Sequence, residues 1–218
     1  MTARPSLLVA VAGTTTAVGK TWVTARVLEG LRARGYRVSV RKPVQSYGPE
    51  DAGATDAEVL AAASGESPSL VCPRPRWYAV PMAPPIAAAH LGEEPPTLAG
   101  LLGELRWRSP GADVGFVETV GGVRSPLADD GDSGDLIRLL GPDAVLLVAD
   151  ADLGVIDATR LAAGALAAPA LTVFLNRYSP EDTVHRGSLE WLRERDGFTV
   201  ETTVEDLLAR VVSGVPWR

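Results

Sequence analysis

The feature that most constrains the fold is the segment VAGTTTAVGKTWVTARVL, residues 11–28, where a glycine-containing loop joins an apolar run to a helical pattern. The apolar run SLLVAVAG before it is short and ends in glycine, which predicts a buried β-strand. From residue 20 to residue 34, apolar residues recur at helical spacing: Val23, Val27, Leu28 and Leu31. A strand, a glycine loop and a helix in this order are typical of a site that binds phosphate groups.

The loop carries the residue types that a nucleotide phosphate chain requires. We expect backbone N–H groups of residues 15–21 to face the phosphates, Lys20 to reach the β and γ oxygens, and the Thr21 hydroxyl to bind Mg²⁺. No binding role is expected for Trp22, the residue that follows Thr21. The loop residues predicted to bind nucleotide are Gly13, Thr16, Ala17, Val18, Gly19, Lys20 and Thr21.

The loop also indicates the class of nucleotide-binding protein. Related regulatory ATPases carry an additional lysine early in this loop. Threonines stand there in this chain, which favours a small-molecule enzyme over a partitioning or transport ATPase.

The remaining pattern predicts an α/β fold of three layers. The segment YRVSVRKP indicates a second strand, so that the first 43 residues form a strand–helix–strand unit. Three further apolar runs, DVGFVE, DAVLLVAD and ALTVFLN, alternate with helical patterns. Near-continuous apolar strands that alternate with helices indicate a mostly parallel sheet covered by helices on both faces. A length of 218 residues fits one phosphate-loop nucleotide-binding domain over residues 1–218.

Residues 43–96 are predicted to form an elaborated segment on the substrate side of this domain. It contains a predicted helix at about residues 56–63. The stretch SLVCPRPRWYAVPMAPP is rich in proline, and we expect no regular structure there. Helices are predicted at IAAAHL and TLAGLLGELRWR, and the tail from residue 181 is predicted to be a helix, a strand and a helix.

Composition limits the partners and the compartment. The net charge of −6 comes without a basic stripe, so we expect no nucleic-acid partner. Cys72 is the only cysteine, which excludes an intrachain disulfide and predicts a free thiol. The apolar run Leu7 to Ala12 is far shorter than the roughly 18 residues of a membrane span. The chain is therefore predicted to be cytoplasmic, with no membrane partner.

Other polar residues fall where a phosphotransfer site would need them. Lys42 follows the second strand, Asp56 begins the next helix, and Glu118 ends the strand VGFVE and leads to Gly121 and Gly122. Active sites in parallel sheets gather at the carboxyl ends of the strands. A single lysine or carboxylate in such a place is commonly solvated or a helix cap, but the combination with the loop predicts one site.

Six segments in order also resemble one enzyme family. GTTTAVGKT, RKPVQS, TDAEVL, PMAPPIAA, VETVGGVRSPL and ADADLGVIDATRL, over about residues 7–177, are similar to dethiobiotin synthetases of biotin biosynthesis. The resemblance implies a homodimeric, Mg²⁺- and ATP-dependent carbon–nitrogen ligase. Such an enzyme carboxylates one amine of 7,8-diaminopelargonic acid with CO₂ and closes a ureido ring, releasing ADP and phosphate.

The resemblance also implies roles for individual residues. Lys20 and Lys42 are the catalytic candidates, which would bind the γ-phosphate and carbamate oxygens. Thr21, Asp56 and Glu118 would hold Mg²⁺, and Asn176 would contact the nucleotide base. The substrate candidates are Thr16, Ser46, Gly121, Gly122, Val155, Ile156 and Asp157, the last three from a segment that the partner subunit supplies.

Three departures from the family pattern bear on the substrate. Thr119 and Val120 replace the smaller Gly-Ala after the glutamate, which predicts a narrower pocket. Asp157 stands where the family has an asparagine that binds the substrate carboxylate, and an ionised aspartate would repel that group. Asp157 is therefore either a helix N-cap or the sign of a changed substrate. The later Gly-x-x-Pro segment near the base has no counterpart, which leaves the nucleotide preference open.

Two alternatives remain at this point. One is a related ligase that uses the same loop and Lys42 on another amine or carboxylate. The other is a regulatory nucleotide switch that hydrolyses ATP slowly and signals through a partner. The switch predicts ATP turnover that is indifferent to diamine and bicarbonate, whereas the ligase predicts dependence on both.

Overall fold

The computed structural model describes residues 4–48, 53–108, 111–166, 168 and 170–213. The outermost residues of the predicted domain 1–218, and residues 49–52 of the predicted segment 43–96, lie outside this description. The strands are β1 (Leu7–Gly13), β2 (Val38–Arg41), β3 (Gln45–Ser46), β4 (Trp77–Tyr78), β5 (Val114–Glu118), β6 (Pro126–Ala128), β7 (Gly131–Asp132), β8 (Ala144–Asp150), β9 (Leu171–Asn176) and β10 (Thr199–Glu201).

The helices of the described residues are short. They are α1 (Lys20–Ala33), α2 (Asp56–Ser64), α3 (Pro68–Val71), α4 (Pro84–His90), α5 (Leu98–Glu104), α6 (Ser133–Leu140), α7 (Val155–Leu166), α8 (Thr183–Glu190) and α9 (Val204–Val212). A 3₁₀ turn spans Arg74–Arg76 and a π-helical turn spans Trp191–Arg195. Within the described ranges, no helix combines the length and the apolar character needed to cross a bilayer.

Six strands form one parallel sheet in the order β10-β9-β8-β1-β5-β2. The predicted α/β class and parallel sheet are confirmed. Strand β1 lies at the centre, paired with β5 on one side and β8 on the other. Strand β2 pairs with β5 and not with β1. Strand β5 therefore lies between the two strands of the first strand–helix–strand unit. Glu118 at the end of β5 thus lies between the phosphate loop and Lys42.

Alternate residues of β1 serve the two faces of the sheet, as the period of two in a strand requires. Val9 and Val11 pack in a core with α1, α2 and α9, whereas Ala10 and Ala12 pack in a second core with α6 and α7. A third core lies under α4 and α5 and includes Leu8. Both faces of the sheet are covered, which explains the near-continuous apolar runs of β1, β5 and β8, and the predicted three layers are confirmed.

The segment around α2 to α5 is more regular than the sequence predicted. Helix α2 begins at the predicted place, where Thr55 and Glu58 form a capping box. The predicted helices at IAAAHL and TLAGLLGELRWR correspond to α4 and α5, and the tail forms α8, β10 and α9 as predicted. The expectation of no regular structure in the proline-rich stretch was wrong. Pro68 starts α3, where its missing N–H costs no hydrogen bond, and β4 pairs with β3.

Candidate functional site

The loop after β1 is closed over the side chain of Lys20, the first residue of α1. The Lys20 ammonium donates hydrogen bonds to the carbonyl oxygens of Gly121 at 2.7 Å and Thr15 at 3.2 Å. A Cβ atom at Gly13 would lie 2.8 Å from the Lys20 Nζ and 2.9 Å from the Thr15 oxygen. Only glycine therefore fits at the start of the loop, and the ammonium is held between the loop and the chain that follows β5.

The far side of the loop rests on the end of β9. The Asn176 Nδ2 donates to the carbonyl oxygen of Val18 at 2.9 Å, and Asn176 is buried. A Cβ atom at Gly19, where φ is 91°, would lie 2.2 Å from that nitrogen. Gly19 is thus required by both conformation and space. Asn176 supports the loop in this structure, and its contact with a nucleotide base stays a prediction.

One carboxylate oxygen joins three distant parts of the chain. Glu118 Oε1 accepts hydrogen bonds from Thr21 Oγ1 at 2.7 Å and from Lys42 Nζ at 2.8 Å. The Lys42 Nζ also lies 2.7 Å from Asp56 Oδ2. These contacts bring together, at the carboxyl edge of the sheet, the five residues that the sequence analysis combined into one site: Lys20, Thr21, Lys42, Asp56 and Glu118. The chain contains two lysines, and both belong to this group.

The two lysines sit in opposite electrostatic surroundings. Burial, with a smaller contribution from the charge of Lys42, lowers the pKa of Lys20 to about 8, although Glu118 and Asp56 act in the opposite direction. Burial alone would lower the pKa of Lys42, but the charges of Asp56 and Glu118 outweigh it and raise that pKa above its usual value. The Lys42 ammonium in turn lowers the pKa of Asp56. Lys42 is thus a fixed positive charge, and Lys20 is one that titrates.

Lys20, Lys42 and Asp56 border a cleft with a volume of about 540 Å³, and Glu118 lies buried behind them. The predicted residues that line it are Thr16, Ala17, Gly19, Lys20, Thr21, Lys42, Ser46, Asp56 and Gly121. The lining residues without a role predicted from the sequence are Tyr47, Gly48, Pro81, Met82, Ala83, Pro84, Ser125 and Pro126. The PMAPP and SPL segments had marked two of these stretches as part of a family pattern, but nothing in their chemistry indicated a pocket wall.

Trp22, directly after Thr21, is not one of the residues that line the cleft. The side chain of Trp22 has no oxygen that could bind a cation. The Trp22 side chain is half exposed, and the Arg26 guanidinium lies 5.8 Å from the centre of its ring. That Trp22 binds no nucleotide stays a prediction.

The donor set fits a nucleotide-bound Mg²⁺. Glu118 Oε2 is buried and has no hydrogen-bond partner, so the carboxylate has an oxygen to spare for a cation. Thr21 supplies a hydroxyl and Asp56 a second carboxylate, and all of these ligands are oxygens. Among the described residues, no cluster of three or more His, Cys, Asp and Glu side chains forms a metal site of its own. Mg²⁺ commonly binds through one or two carboxylates together with substrate phosphates, which is the case that these residues fit.

The glycines after Glu118 allow a close approach within the chain. A Cβ atom at Gly122 would lie 2.9 Å from the Thr14 oxygen of the phosphate loop, and one at Gly121 would lie 2.5 Å from Ser125 Oγ. Thr119 does not narrow the cleft as the sequence had predicted, because its side chain is buried and donates to the Val11 oxygen. Val120 does line the cleft.

The last predicted substrate residues lie apart from this cleft. Val155, Ile156 and Asp157 form the first turn of α7 and are absent from the cleft lining. Asp157 is the third residue of the helix, so the interpretation of this residue as the N-cap was wrong. Next to this turn, the side chain of Leu153 is 90% exposed. A contribution of this segment to a partner subunit's cleft remains a prediction.

Comparison with known proteins identifies the family. A family model described as an AAA domain matches residues 8–217. The chain is similar to the ATP-dependent dethiobiotin synthetase BioD of Aromatoleum aromaticum, with 39% identity over 192 residues, which are 84% of each chain. The chain belongs to the dethiobiotin synthetase family. It is also 36% identical over 195 residues to the protein of the same name from Xanthomonas euvesicatoria pv. vesicatoria, across 85% of this chain and 84% of that protein.

Solved structures place this member of the dethiobiotin synthetase family in a wider fold group. A plasmid partition protein from Borrelia burgdorferi matches with a TM-score of 0.58 and 13% identity over 98% of this chain and 100% of that one. A signal recognition particle receptor FtsY from Elizabethkingia anophelis matches with a TM-score of 0.52 and 16% identity over 93% of this chain and 61% of that one. At these identities the likeness shows the fold alone.

Proposed function

We propose that the chain is an ATP-dependent dethiobiotin synthetase that acts as a cyclo-ligase. Its substrates would be 7,8-diaminopelargonic acid, CO₂ and ATP, and its products dethiobiotin, ADP and phosphate. Identities of 36% and 39% to curated dethiobiotin synthetases over most of the chain support this activity. The observation that carries the proposal is the shared Glu118 oxygen, which brings Lys42 and Thr21 together beside the phosphate loop.

The reaction divides into three steps whose atoms balance. One amine attacks CO₂, a C–N bond forms, and a proton leaves to give a carbamate. A carbamate oxygen then attacks the γ-phosphorus of ATP, and the bond to ADP breaks. Finally the second amine attacks the carbamate carbon, phosphate leaves with its electron pair, and the ring closes with loss of a proton.

The two lysines are proposed to provide most of the positive charge that stabilises the carbamate and phosphate oxygens. Lys42, held between Asp56 and Glu118, offers a permanent charge for the carbamate oxygens. Lys20 exchanges its backbone acceptors, Gly121 and Thr15, for phosphate oxygens when ATP binds. Bound Mg²⁺ would supply further positive charge to the phosphate oxygens. Phosphoryl transfer depends mainly on such positioning and charge, so no side chain has to act as a general base at phosphorus.

The quaternary structure and the domain limits are part of the same proposal. We infer one nucleotide-binding domain over residues 1–218, since a single sheet runs from β10 to β2. The segment 43–96 belongs to its substrate side, because it contributes Ser46, Asp56 and Met82 to the cleft. We further infer a homodimer in which the first turn of α7 completes the partner's cleft, and a cytoplasmic location, where ATP is supplied.

Phosphate release from MgATP, measured with and without 7,8-diaminopelargonic acid and bicarbonate, tests the proposal. Release that needs both compounds, with a cyclic urea detected by mass spectrometry, is expected. Release that is indifferent to both would overturn the ligase and support a nucleotide switch. Release that needs a different amine, one without a carboxylate, would mean that Asp157 marks a changed substrate. The Lys42→Ala protein serves as the control for background hydrolysis.

A further inference from the structure

Two consecutive residues after β9 hold two consecutive carbonyls of the phosphate loop. Asn176 Nδ2 donates to the Val18 oxygen at 2.9 Å, and Arg177 Nη2 donates to the Ala17 oxygen at 3.1 Å. In a trans peptide the carbonyl and the next N–H point in opposite directions. Holding the two oxygens at β9 therefore turns the N–H groups of Val18 and Gly19 the other way, towards the side where phosphates bind.

The bond from Arg177 joins two unusual backbone conformations. Ala17 has a φ of 61° and Arg177 a φ of 57°, and they are the residues other than glycine with positive φ in the described part of the chain. This left-handed region is unfavourable for residues with a Cβ, so such residues persist where their surroundings hold them there. The conformation of Ala17 decides the direction of its carbonyl, and Arg177 is the side chain that binds this carbonyl.

The guanidinium has a second anchor. Arg177 Nη1 is paired with Asp150 Oδ2, at the end of β8. Asp150 and Asn176 are register partners in the sheet, so Asp150 belongs to the rigid edge that also carries Asn176. The planar guanidinium donates from two nitrogens at once and can bridge a carboxylate and a carbonyl, which an ammonium does less well.

We propose that Arg177 is a positioning residue of the phosphate loop. By bridging Asp150 and the Ala17 carbonyl, it holds Ala17 in the left-handed conformation and so presents the loop N–H groups to nucleotide phosphates. The inference rests on the nucleotide-binding part of the proposed function and is independent of the identity of the amine.

The test compares Arg177→Ala with Arg177→Lys and Arg186→Ala. Arg186 is the matched control, because it is an exposed arginine that donates to backbone oxygens of Pro180 and Glu181 in the turn that precedes α8. Calorimetric titration with ATP is expected to give a Kd about fivefold higher for Arg177→Ala, about twofold higher for Arg177→Lys and unchanged for Arg186→Ala. In the nucleotide-free protein, amide hydrogen exchange over residues 15–20 is expected to be faster in Arg177→Ala alone.

Two further variants keep the test decisive. Asp150→Asn retains the guanidinium but weakens its anchor, and it carries the same expectation if Arg177→Ala does not fold. Ala17→Gly, added to Arg177→Ala, is expected to restore part of the affinity, because glycine adopts positive φ without the cost of a Cβ.

An ATP Kd for Arg177→Ala equal to that of the wild type would overturn the inference. A lowered Tm with unchanged loop exchange and unchanged Kd would also overturn it, since Arg177 would then only stabilise the fold through Asp150. A shifted Kd in a protein that makes no dethiobiotin would support the positioning role and reject the proposed ligase activity, so the two failures are distinguishable.

Discussion

Lys42 and Glu118 form an ion pair that is almost fully shielded from solvent, with side-chain exposures of 2% and 0% and an Nζ–Oε1 distance of 2.8 Å. The same Glu118 oxygen accepts a hydrogen bond from Thr21. A lysine thus already neutralises the carboxylate that is proposed to hold Mg²⁺. The hydrogen bonds from Lys42 and Thr21 also fix the position of this carboxylate, so a cation would meet ligands that need little rearrangement.

Replacement of Lys42 by methionine is expected to abolish product formation while the ATP Kd stays within about threefold of the wild type. The γ-phosphate retains Lys20, but the carbamate loses its permanent positive charge. The variant is also expected to lose about 3 kcal/mol of unfolding free energy, because Glu118 is left buried without a counter-ion. Turnover and denaturant unfolding measure the two effects. Wild-type turnover in this variant would reject the assigned carbamate site.

Replacement of Glu118 by glutamine is expected to raise the Mg²⁺ concentration for half-maximal ATP turnover by about tenfold or more. The amide oxygen still accepts from Lys42 and Thr21, so the local hydrogen bonds survive, but the charge for the cation is lost. ATP binding without Mg²⁺ is expected to change little. Glu104→Gln, which alters a carboxylate paired with Arg76 outside the cleft, is the control. An unchanged Mg²⁺ requirement in Glu118→Gln would remove this residue from the metal site.

The pKa of about 8 for Lys20 predicts that ATP binding weakens at alkaline pH. Below pH 8 the free protein carries the charged ammonium, and above it the proton is lost, while bound phosphates raise the pKa again. The complex therefore holds more protons than the free protein above pH 8, and affinity falls by up to about tenfold per pH unit there. Titrations in buffers of different ionisation enthalpy detect the proton uptake. AMP, which lacks the β and γ phosphates, is expected to show none.

A pair of glycine variants separates conformational cost from steric conflict. Gly19 and Gly35 have nearly equal φ values of 91° and 86°, but a Cβ atom collides with Asn176 at Gly19 and meets nothing within 4 Å at Gly35. Both alanine variants are expected to lose about 1 kcal/mol of stability from the left-handed conformation. Gly19→Ala alone is expected to lose ATP binding, because Asn176 must move off the loop. Equal ATP affinities for the two variants would argue against this account of the loop.

The proposed dimer predicts a specific effect at Leu153. This side chain is 90% exposed beside the first turn of α7, and an aspartate there would place a charge in the proposed subunit contact. Leu153→Asp is expected to halve the mass measured by light scattering and to raise the KM for the diamine more than that for ATP. Leu139→Asp, at an exposed leucine of α6, is the control. A dimer that persists in Leu153→Asp would place the interface elsewhere.

Local patterns predicted the elements of this fold well. The apolar runs before Gly13 and Glu118 and the helical spacing of apolar residues after Lys20 reflect local structure directly. Strands, helices and their parallel arrangement therefore followed from the sequence. The order of the strands did not follow, because it depends on the packing of distant segments. The position of β5 between β1 and β2 is a property of the whole sheet, and no local signal encodes it.

The residues of the candidate site were likewise predicted only in part. Lys20, Thr21, Lys42 and Glu118 follow strand ends or open a helix, and those positions predicted their convergence. Residues that act through backbone contacts were harder to find. Arg177 was not proposed from the sequence because neither a positive φ nor a bond to the Ala17 carbonyl has a composition signature. Of the two interpretations of Asp157, the N-cap was wrong because the helix begins two residues earlier.

The two lysines of the chain have a practical consequence. Both lie in the cleft, so a reagent that modifies ε-amino groups reports on this site alone. Lys20, with a pKa of about 8, supplies a reactive free amine at mildly alkaline pH, whereas Lys42 remains an ammonium between two carboxylates. Acylation at pH 8.5 would therefore label one side chain, and protection by ATP would read out site occupancy without any engineered tag. No other lysine is present in the chain, so the unmodified protein can itself serve as the probe.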